Sequence, residues 1–362
     1  MKKSLLLTIV VMMMTFLMKA QESGQCGDNL TWYWNINDST LTIAGTGDMW
    51  NNPSFILGHH VHTSHTLLKH LVIEEGVTSI GTSAFEMHIY LRDVSLPNTL
   101  ISIGDYAFNL CVNLHSIEIP NSVTTIGKST FSSTKIELLT LGNSVSSIGE
   151  FAFSENHFLK HVVISNSLKT IHVGAFYNCK NLKSVDFGNS LVSLGAAAFQ
   201  ACSLTSVCLP ETLQLIGDVA FAGNNLTSVT IGAATPPTCG EINFDQNTYE
   251  QATLFVPIGC RSVYENANIW KEFVNIVESG ELINENFSDN ISVFPNPSSD
   301  FININCKNMK SIEILSMDGK IIRKISISGD YVNVDISDLQ SRIYIVMIKT
   351  EETCLIKKIV KK

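Results

Sequence analysis

The chain has 362 residues, 45% of them apolar, with 24 Lys+Arg against 33 Asp+Glu. That length allows two or three domains. Residues 21–290 hold 10 basic and 25 acidic side chains, whereas residues 291–362 hold 11 basic and 8 acidic. So acidic a first portion repels phosphate backbones and excludes nucleic acid as an expected partner. It favours a basic patch on a partner protein, although most such charge serves as a solvated surface.

At the start, Met1–Lys3 is positive, Ser4–Met18 is almost wholly apolar, and small or polar residues follow at Ala20–Gln25. This is the layout of a secretory signal peptide over residues 1–20, with cleavage expected after Ala20. The apolar run is shorter than the roughly 20 residues a spanning helix needs. The residues before Cys26, Ser23-Gly24-Gln25, do not form a lipoprotein box. No later segment reads as a membrane span, so the exported chain is expected to have none. Residues 21–66 then form a first flank. They contain His59, His60, His62 and His65, a dense group of imidazoles in an expected loop. Imidazole is a common metal ligand, but no Cys or carboxylate sits at matched spacing. An exposed polar loop is the expectation, with no bound metal or cofactor.

Residues 67–232 are periodic. Ile-Gly followed by Ala-Phe recurs at Ile80-Gly81…Ala84-Phe85, Ile103-Gly104…Ala107-Phe108 and onward to Ile216-Gly217…Ala220-Phe221. The phenylalanines Phe85, Phe108, Phe131, Phe153, Phe176, Phe199 and Phe221 are 22 or 23 residues apart. Each unit also carries a triplet such as Leu114/Ile117/Ile119, whose last two members share one strand face. Leu68/Leu71/Ile73 opens the series and Leu226/Val229/Ile231 closes it. One unit cannot bury its own apolar face, so stacked neighbours must supply the core. The phenylalanines are expected to form an internal ladder. The Gly after each Ile is expected at a φ-positive or crowded point, with His172 as the exception that tolerates such φ values. Cys111, Cys179 and Cys202 each follow a repeat Phe by three residues and read as small buried side chains. Cys239–Cys260 and Cys306–Cys354 are candidate disulfides that export would permit.

Units of this form, with the run Cys111–Ile126 as the clearest, resemble BspA-like leucine-rich repeats of bacterial surface antigens. The flanks agree with the resemblance. Cys26-Gly27-Asp28-Asn29-Leu30-Thr31-Trp32 and Leu41–Gly47 are similar to the family's N-terminal cap. Pro236-Pro237, Phe244, Val256-Pro257, Tyr264, Trp270 and Phe273 are similar to its C-terminal cap, here residues 233–278. The resemblance implies a β-dominated α/β fold, a right-handed leucine-rich-repeat solenoid with a cap at each end.

Residues 279–290 read as a polar linker. In residues 291–362, Pro295-Asn296-Pro297 precedes short alternating strands, and Asp318-Gly319 is a strong hairpin signal. Such spacing suggests a small all-β, immunoglobulin-like sandwich. These residues resemble the type IX secretion C-terminal sorting domain. The matching pieces are the Pro-Asn-Pro entry, Met317-Asp318-Gly319-Lys320, Leu339…Ile343-Tyr344 and Lys357–Lys361, with Arg342 where the pattern has Gly. The resemblance implies contact with the type IX machinery and a place on the outer-membrane exterior or in the medium.

The outward residues of the repeat strands are the candidate ligand face: His70, Asp93, Ser95, Ser116, Glu118, Thr140, His161, Ser184, Asp186, Ser206, Ser228 and Thr230. Eight strands at about 4.8 Å make a surface roughly 40 Å long, suited to an extracellular protein or glycan. No aromatic row on those positions invites sugar stacking. Gly45-Thr46-Gly47 lacks the rest of a phosphate-binding motif, and no nucleophile or metalloprotease signature occurs. The expected function is therefore non-enzymatic adhesion, and the alternative is a structural cell-surface spacer without a specific ligand.

Overall fold

The computed structural model describes residues 22–52, 67–278, 292–294, 298, 300–316, 321–340, 342–350 and 354–361. The leader and its cleavage point, the four-histidine segment and the polar linker all lie outside the described residues.

Three antiparallel strands open the solenoid: β1 (Glu22–Gly27), β2 (Leu30–Asn35) and β3 (Thr40–Gly45). In β2 and β3, alternation puts Leu30, Trp32, Trp34, Leu41 and Ile43 into the core. Leu41 and Ile43 lie beside Leu71 and Ile73 where β3 pairs in parallel with the first repeat strand, His70–Ile73. The cap thereby covers an apolar end that a repeat would otherwise leave wet.

Each repeat then contributes two parallel strands. The longer one, for instance Ser116–Glu118, Leu138–Thr140, His161–Val163 and Ser184–Asp186, builds the face expected from the triplets. Its ladder is interrupted twice, between Asp93–Ser95 and Ser116–Glu118 and again between Ser184–Asp186 and Ser206–Leu209. It continues past the repeats through Thr253–Val256 and Asn275–Glu278. The second strand lies at the Ile before each Gly. Thr125–Ile126, Ser147–Ile148, Thr170–Ile171 and their equivalents, from Gly47–Asp48 to Thr238–Cys239, form a nine-stranded parallel sheet.

Between the sheets lies the aromatic stack. Neighbouring rings from Phe85 to Phe244 are 5.1–5.9 Å apart and within 4–15° of parallel. Centroid spacings this long between near-parallel planes describe offset stacking, the arrangement the ring quadrupole prefers. Phe244, expected in the cap, is the eighth member of the stack. Tyr249, Trp270 and Phe273 close around it, at 5.8, 5.9 and 5.3 Å. Trp270 Nε1 donates to Pro237 O at 2.9 Å and Tyr264 Oη to Ala233 O at 2.7 Å, so the cap's buried polar groups are satisfied. Two short helices, α1 (Gln246–Gln251) and α2 (Arg261–Glu265), carry Tyr249 and Tyr264.

The glycine expectation is half corrected. These glycines are crowded: a Cβ on Gly127 would lie 2.5 Å from Asp105 Oδ1 and 2.6 Å from Asp105 N. They are not φ-positive, and neither is His172. The left-handed positions come two residues later, at Ser83, Tyr106, Ser129, Phe151, Gly174, Ala197, Val219 and Ile242, with φ of 49–60°. A second such column follows at Met87, Leu110, Ser133, Glu155, Asn178, Ala201 and Gly223. This geometry turns alternate N–H groups toward the next repeat, so that Ser83, Phe85 and Met87 donate to Asp105 O, Ala107 O and Asn109 O at 2.8 Å. A third inter-repeat ladder results.

The cysteines of the repeats are buried as expected, and they also donate. Cys111, Cys179 and Cys202 Sγ each point to the Phe carbonyl of the preceding repeat at 3.2 Å. Asn156 and Asn224 take the same place and donate through Nδ2 to Phe131 O and Phe199 O at 2.7 and 2.8 Å. The column selects a compact donor. Cys239 and Cys260 are free thiols, which removes that candidate disulfide, while the Cys354 side chain of the other candidate lies outside the described set.

The C-terminal residues have a separate core of Ile302, Ile304, Met309, Ile312, Ile314, Val334, Tyr344, Val346, Ile348 and Ile359. Not all of the strands are short as expected: Phe301–Ser316 is one 16-residue strand. Its register slips between Asn305 and Ser311. Such irregularities bend a strand so that its halves serve two layers. The first half pairs with Ser292–Phe294 and the second with Ile343–Thr350, while Ile321–Asp335 runs antiparallel along both. The Asp318-Gly319 turn lies outside the described residues, but Leu315 and Ile321 on either side of it are paired.

Candidate functional site

The triplet pattern turns its apolar members inward, so the residues between them must face out. Asp93, Ser95, Ser116, Glu118, Asp186 and Ser206 are exposed, and His70, His161, Ser184, Ser228 and Thr230 are half-buried. The Thr140 side chain lies outside the described set, although its backbone pairs with Glu118 and Val163. In-register pairing brings several predicted residues together. His70 opposes Asp93, with Nδ1 2.9 Å from Oδ2. His161 opposes Ser184, with Nδ1 2.8 Å from Oγ, while Val163 opposes Asp186. Ser206 opposes Ser228, and Cys208 opposes Thr230. The two ladder breaks keep the twelve positions from forming one continuous row.

His161 and Cys208 are perturbed groups on this face. Burial pushes the Cys208 thiol up. In His161 burial pushes the imidazole pKa down, and the opposing pull of Asp186 does not cancel that. Its Nε2 has no hydrogen-bond partner among the described residues. The neutral imidazole is therefore favoured near neutral pH.

A second surface was missed from the sequence. On the nine-stranded sheet, Ser102, Thr125 and Ser147 are paired side by side and floor an open groove of about 530 Å³. Thr82, Asp105, Lys128, Glu150 and His172 stand around it. Lys128 Nζ lies 3.0 Å from Glu150 Oε2, and that contact is the main cause holding the lysine pKa above its usual value. Asp105 Oδ1 accepts from Lys128 N at 2.7 Å and is thereby tied into the turn. Hydroxyls with flanking charges can hydrogen-bond a hydroxylated ligand, but no nucleophile is aligned with a base here. The signal in the sequence was a Ser or Thr before the Ile at Ser79, Ser102, Thr125, Ser147 and Thr170, recurring too briefly per repeat to read as a strand.

Among the described residues, no group of three or more His, Cys, Asp or Glu side chains is placed to hold a metal ion. The four-histidine candidate lies outside them. No described helix is long and apolar enough to cross a membrane.

Two parallel ladders, a shared phenylalanine stack and capped ends define a leucine-rich-repeat solenoid. Residues 57–180 and 146–268 match the BspA type leucine rich repeat region, in six copies, and the chain belongs to that family. Residues 292–362 match the secretion system C-terminal sorting domain, which marks the chain for secretion to the cell surface. Solved structures similar to it include a leucine-rich repeat protein from Bacteroides ovatus, with 17% identity, 70% of this chain and 76% of that one covered, and a TM-score of 0.44. The T. pallidum leucine rich repeat protein shows 23% identity over 49% of this chain and 87% of that one, with a TM-score of 0.39. A leucine rich cell surface protein from Faecalibacterium prausnitzii shows 20% identity over 72% and 96%, with a TM-score of 0.33. No curated protein matches the chain significantly.

Proposed function

We propose that the chain is a non-enzymatic, adhesin-like binding module of the cell surface. Its repeats, residues 67–232 between caps at 21–66 and 233–278, present the outward strand face to an extracellular protein or glycan. Residues 291–362 hand the chain to the type IX machinery. One observation carries this reading: Asp93, Ser95, Ser116, Glu118, Asp186 and Ser206 are exposed polar side chains on strands whose alternate residues are locked in the core. Such positions contribute little to folding and are free to specify a ligand. A rigid scaffold also spares a binding partner the entropy of ordering it.

The test is binding of the full chain to an array of matrix proteins and glycans, at low and physiological salt. Saturable binding that is lost on charge reversal at Asp93, Glu118 and Asp186 is expected. An array with no saturable hit would replace the adhesin reading with that of a surface spacer.

A further inference from the structure

We infer that the edge through which each repeat enters its outward-facing strand is a docking strip for a linear anionic polysaccharide. The inference goes beyond the proposed function: the edge lies beside the acidic strand face and is a second site, for a ligand that Asp93, Glu118 and Asp186 would repel. Residues 21–290 hold only ten basic side chains, and six of them, Lys69, Arg92, Lys135, Lys160, Lys180 and Lys183, fall on this edge.

The main chain shows why residues so distant in sequence come together. Except at the two ladder breaks, the residue after the leading Leu or Ile is hydrogen-bonded to its equivalent one repeat below. Arg92 N donates to Lys69 O at 2.9 Å, Lys160 N to Glu137 O at 3.3 Å, and Lys183 N to Lys160 O at 3.0 Å. Lys135 lies just before its leading Ile, and its Nζ reaches Asn113 Oδ1 in the repeat below at 3.2 Å. Arg92, Lys160, Lys180 and Lys183 are exposed. Lys160 pairs with Glu137 at 3.1 Å, but both side chains are more than half exposed, so the pair is weak and exchangeable. Among the described residues, no ion pair engages Arg92, Lys180 or Lys183.

A second observation narrows the ligand. The position two before the basic column carries Tyr90 and Phe158, which are 45% and 46% exposed. Each is two residues ahead of a cation, Arg92 and Lys160. An open aromatic face beside a cation suits a sugar ring that bears an anionic group. The strip runs over six repeats, from Lys69 to Lys183, or about 24 Å at strand spacing, which fits a polymer better than a single sugar. Asp93, Glu118 and Asp186 border it on the strand side, so the positive zone is narrow. A single slender chain can follow it, whereas a nucleic-acid duplex would also meet the surrounding acidic surface.

The experiment titrates the full chain with a sulfated polysaccharide, a polysaccharide whose only charges are uronic carboxylates, neutral dextran and duplex DNA. Each titration is run at low salt and at about 0.15 M, where the screening length is about 8 Å. Expected is saturable, salt-weakened binding of one or both anionic polysaccharides and none of dextran; which of the two binds identifies the anion. The triple variant Lys160→Gln, Lys180→Gln, Lys183→Gln should lose about tenfold or more in affinity, with an unchanged thermal midpoint. Phe158→Ala should weaken the same complex. Lys310→Gln with Lys357→Gln, on the C-terminal domain, should leave it intact. DNA binding as tight as that of the polysaccharide would overturn the inference. So would binding that only the C-terminal variant removes. Failure to bind any anionic polysaccharide would also overturn it, while leaving the protein array as an independent test of the adhesin reading.

Discussion

Phe153→Ala cuts the aromatic stack at its middle, and the structure gives the size of the effect. Phe153 has no exposed surface and lies 5.4 Å from both Phe131 and Phe176. Removing a buried Phe side chain costs about 3–5 kcal/mol in transfer and cavity terms. Two stacked pairs are lost as well, each worth about 0.5–1.5 kcal/mol, so the upper half of the range applies. Little can collapse into the hole, because hydrogen bonds fix the backbone on both sides: Phe131 N to Ala152 O and Phe153 N to Ala175 O, each at 2.8 Å. Against a typical total of about 5–15 kcal/mol, the loss is a large share. The stack is one-dimensional, so the damage should also be local before it is global. Urea denaturation should show a lower midpoint with a smaller slope as the two halves uncouple, and amide exchange should accelerate first in repeats 131–176. A cost below about 1 kcal/mol, or exchange that accelerates uniformly, would refute the ladder as the source of cohesion.

Three further outcomes follow from particular sites. Val219 holds φ at 51°, which costs a branched residue about 1–2 kcal/mol, and its side chain is only half-buried. Val219→Asn should therefore raise the thermal midpoint, whereas a lower midpoint would show that its packing outweighs the backbone cost. Burial pushes the thiols of Cys26 and Cys111 up to about 12, so neither forms thiolate at neutral pH. Of the eight cysteines whose side chains are described, Cys208 alone is exposed. Although burial pushes its thiol up as well, it should react first with a thiol reagent on the native protein, a result that Cys208→Ser removes. The folded pKa of His161 lies below the unfolded value of 6.5, so the unfolded chain takes up the proton first as pH falls. Stability from the neutral imidazole is complete above 6.5 and declines as pH drops through the folded pKa. The wild type should lose ground to His161→Gln in urea midpoints across that window, and a difference that stays constant with pH would discount the burial of His161.

The parts of the fold legible in the sequence were those that repeat with bulky, chemically distinctive side chains. Phenylalanine every 22 or 23 residues and the Leu/Ile triplets led directly to the stack and the longer sheet. The second sheet escaped because each of its strands is only two residues long, as in Thr125–Ile126, and a two-residue alternation carries no period. Phe244 keeps the spacing at 23 residues after Phe221 but has Asn243 where the motif has Ala. The structure accounts for the exchange: Asn243 is fully buried, accepts from Ala220 N at 3.2 Å and donates to Gly240 O at 2.8 Å. The glycine column was legible only as an alternative, because crowding and positive φ both select Gly; the structure shows crowding. The outward strand residues were readable as a list but not as a surface, since the ladder breaks after Ser95 and again after Asp186.

The same geometry explains why no compact motif announces a function in this chain. Inside the stack most repeats satisfy the same constraints: Phe for the neighbours' rings, a compact donor for the carbonyl below, Gly where the next turn passes. Those demands recur and fill the sequence with near-identical strings. Outward positions answer to no neighbour in the core, so they vary, and residues that meet on the surface are 22 or 23 apart in the chain. Lys160 and Lys183 illustrate the consequence. They are separated by 22 intervening residues yet joined by one main-chain hydrogen bond. A ligand that runs along the solenoid therefore reads one residue from each repeat, and its specificity is written down the columns. Inserting or deleting a whole repeat would lengthen or shorten such a column while leaving the core pattern intact, which makes reach the property this architecture can change at least structural cost.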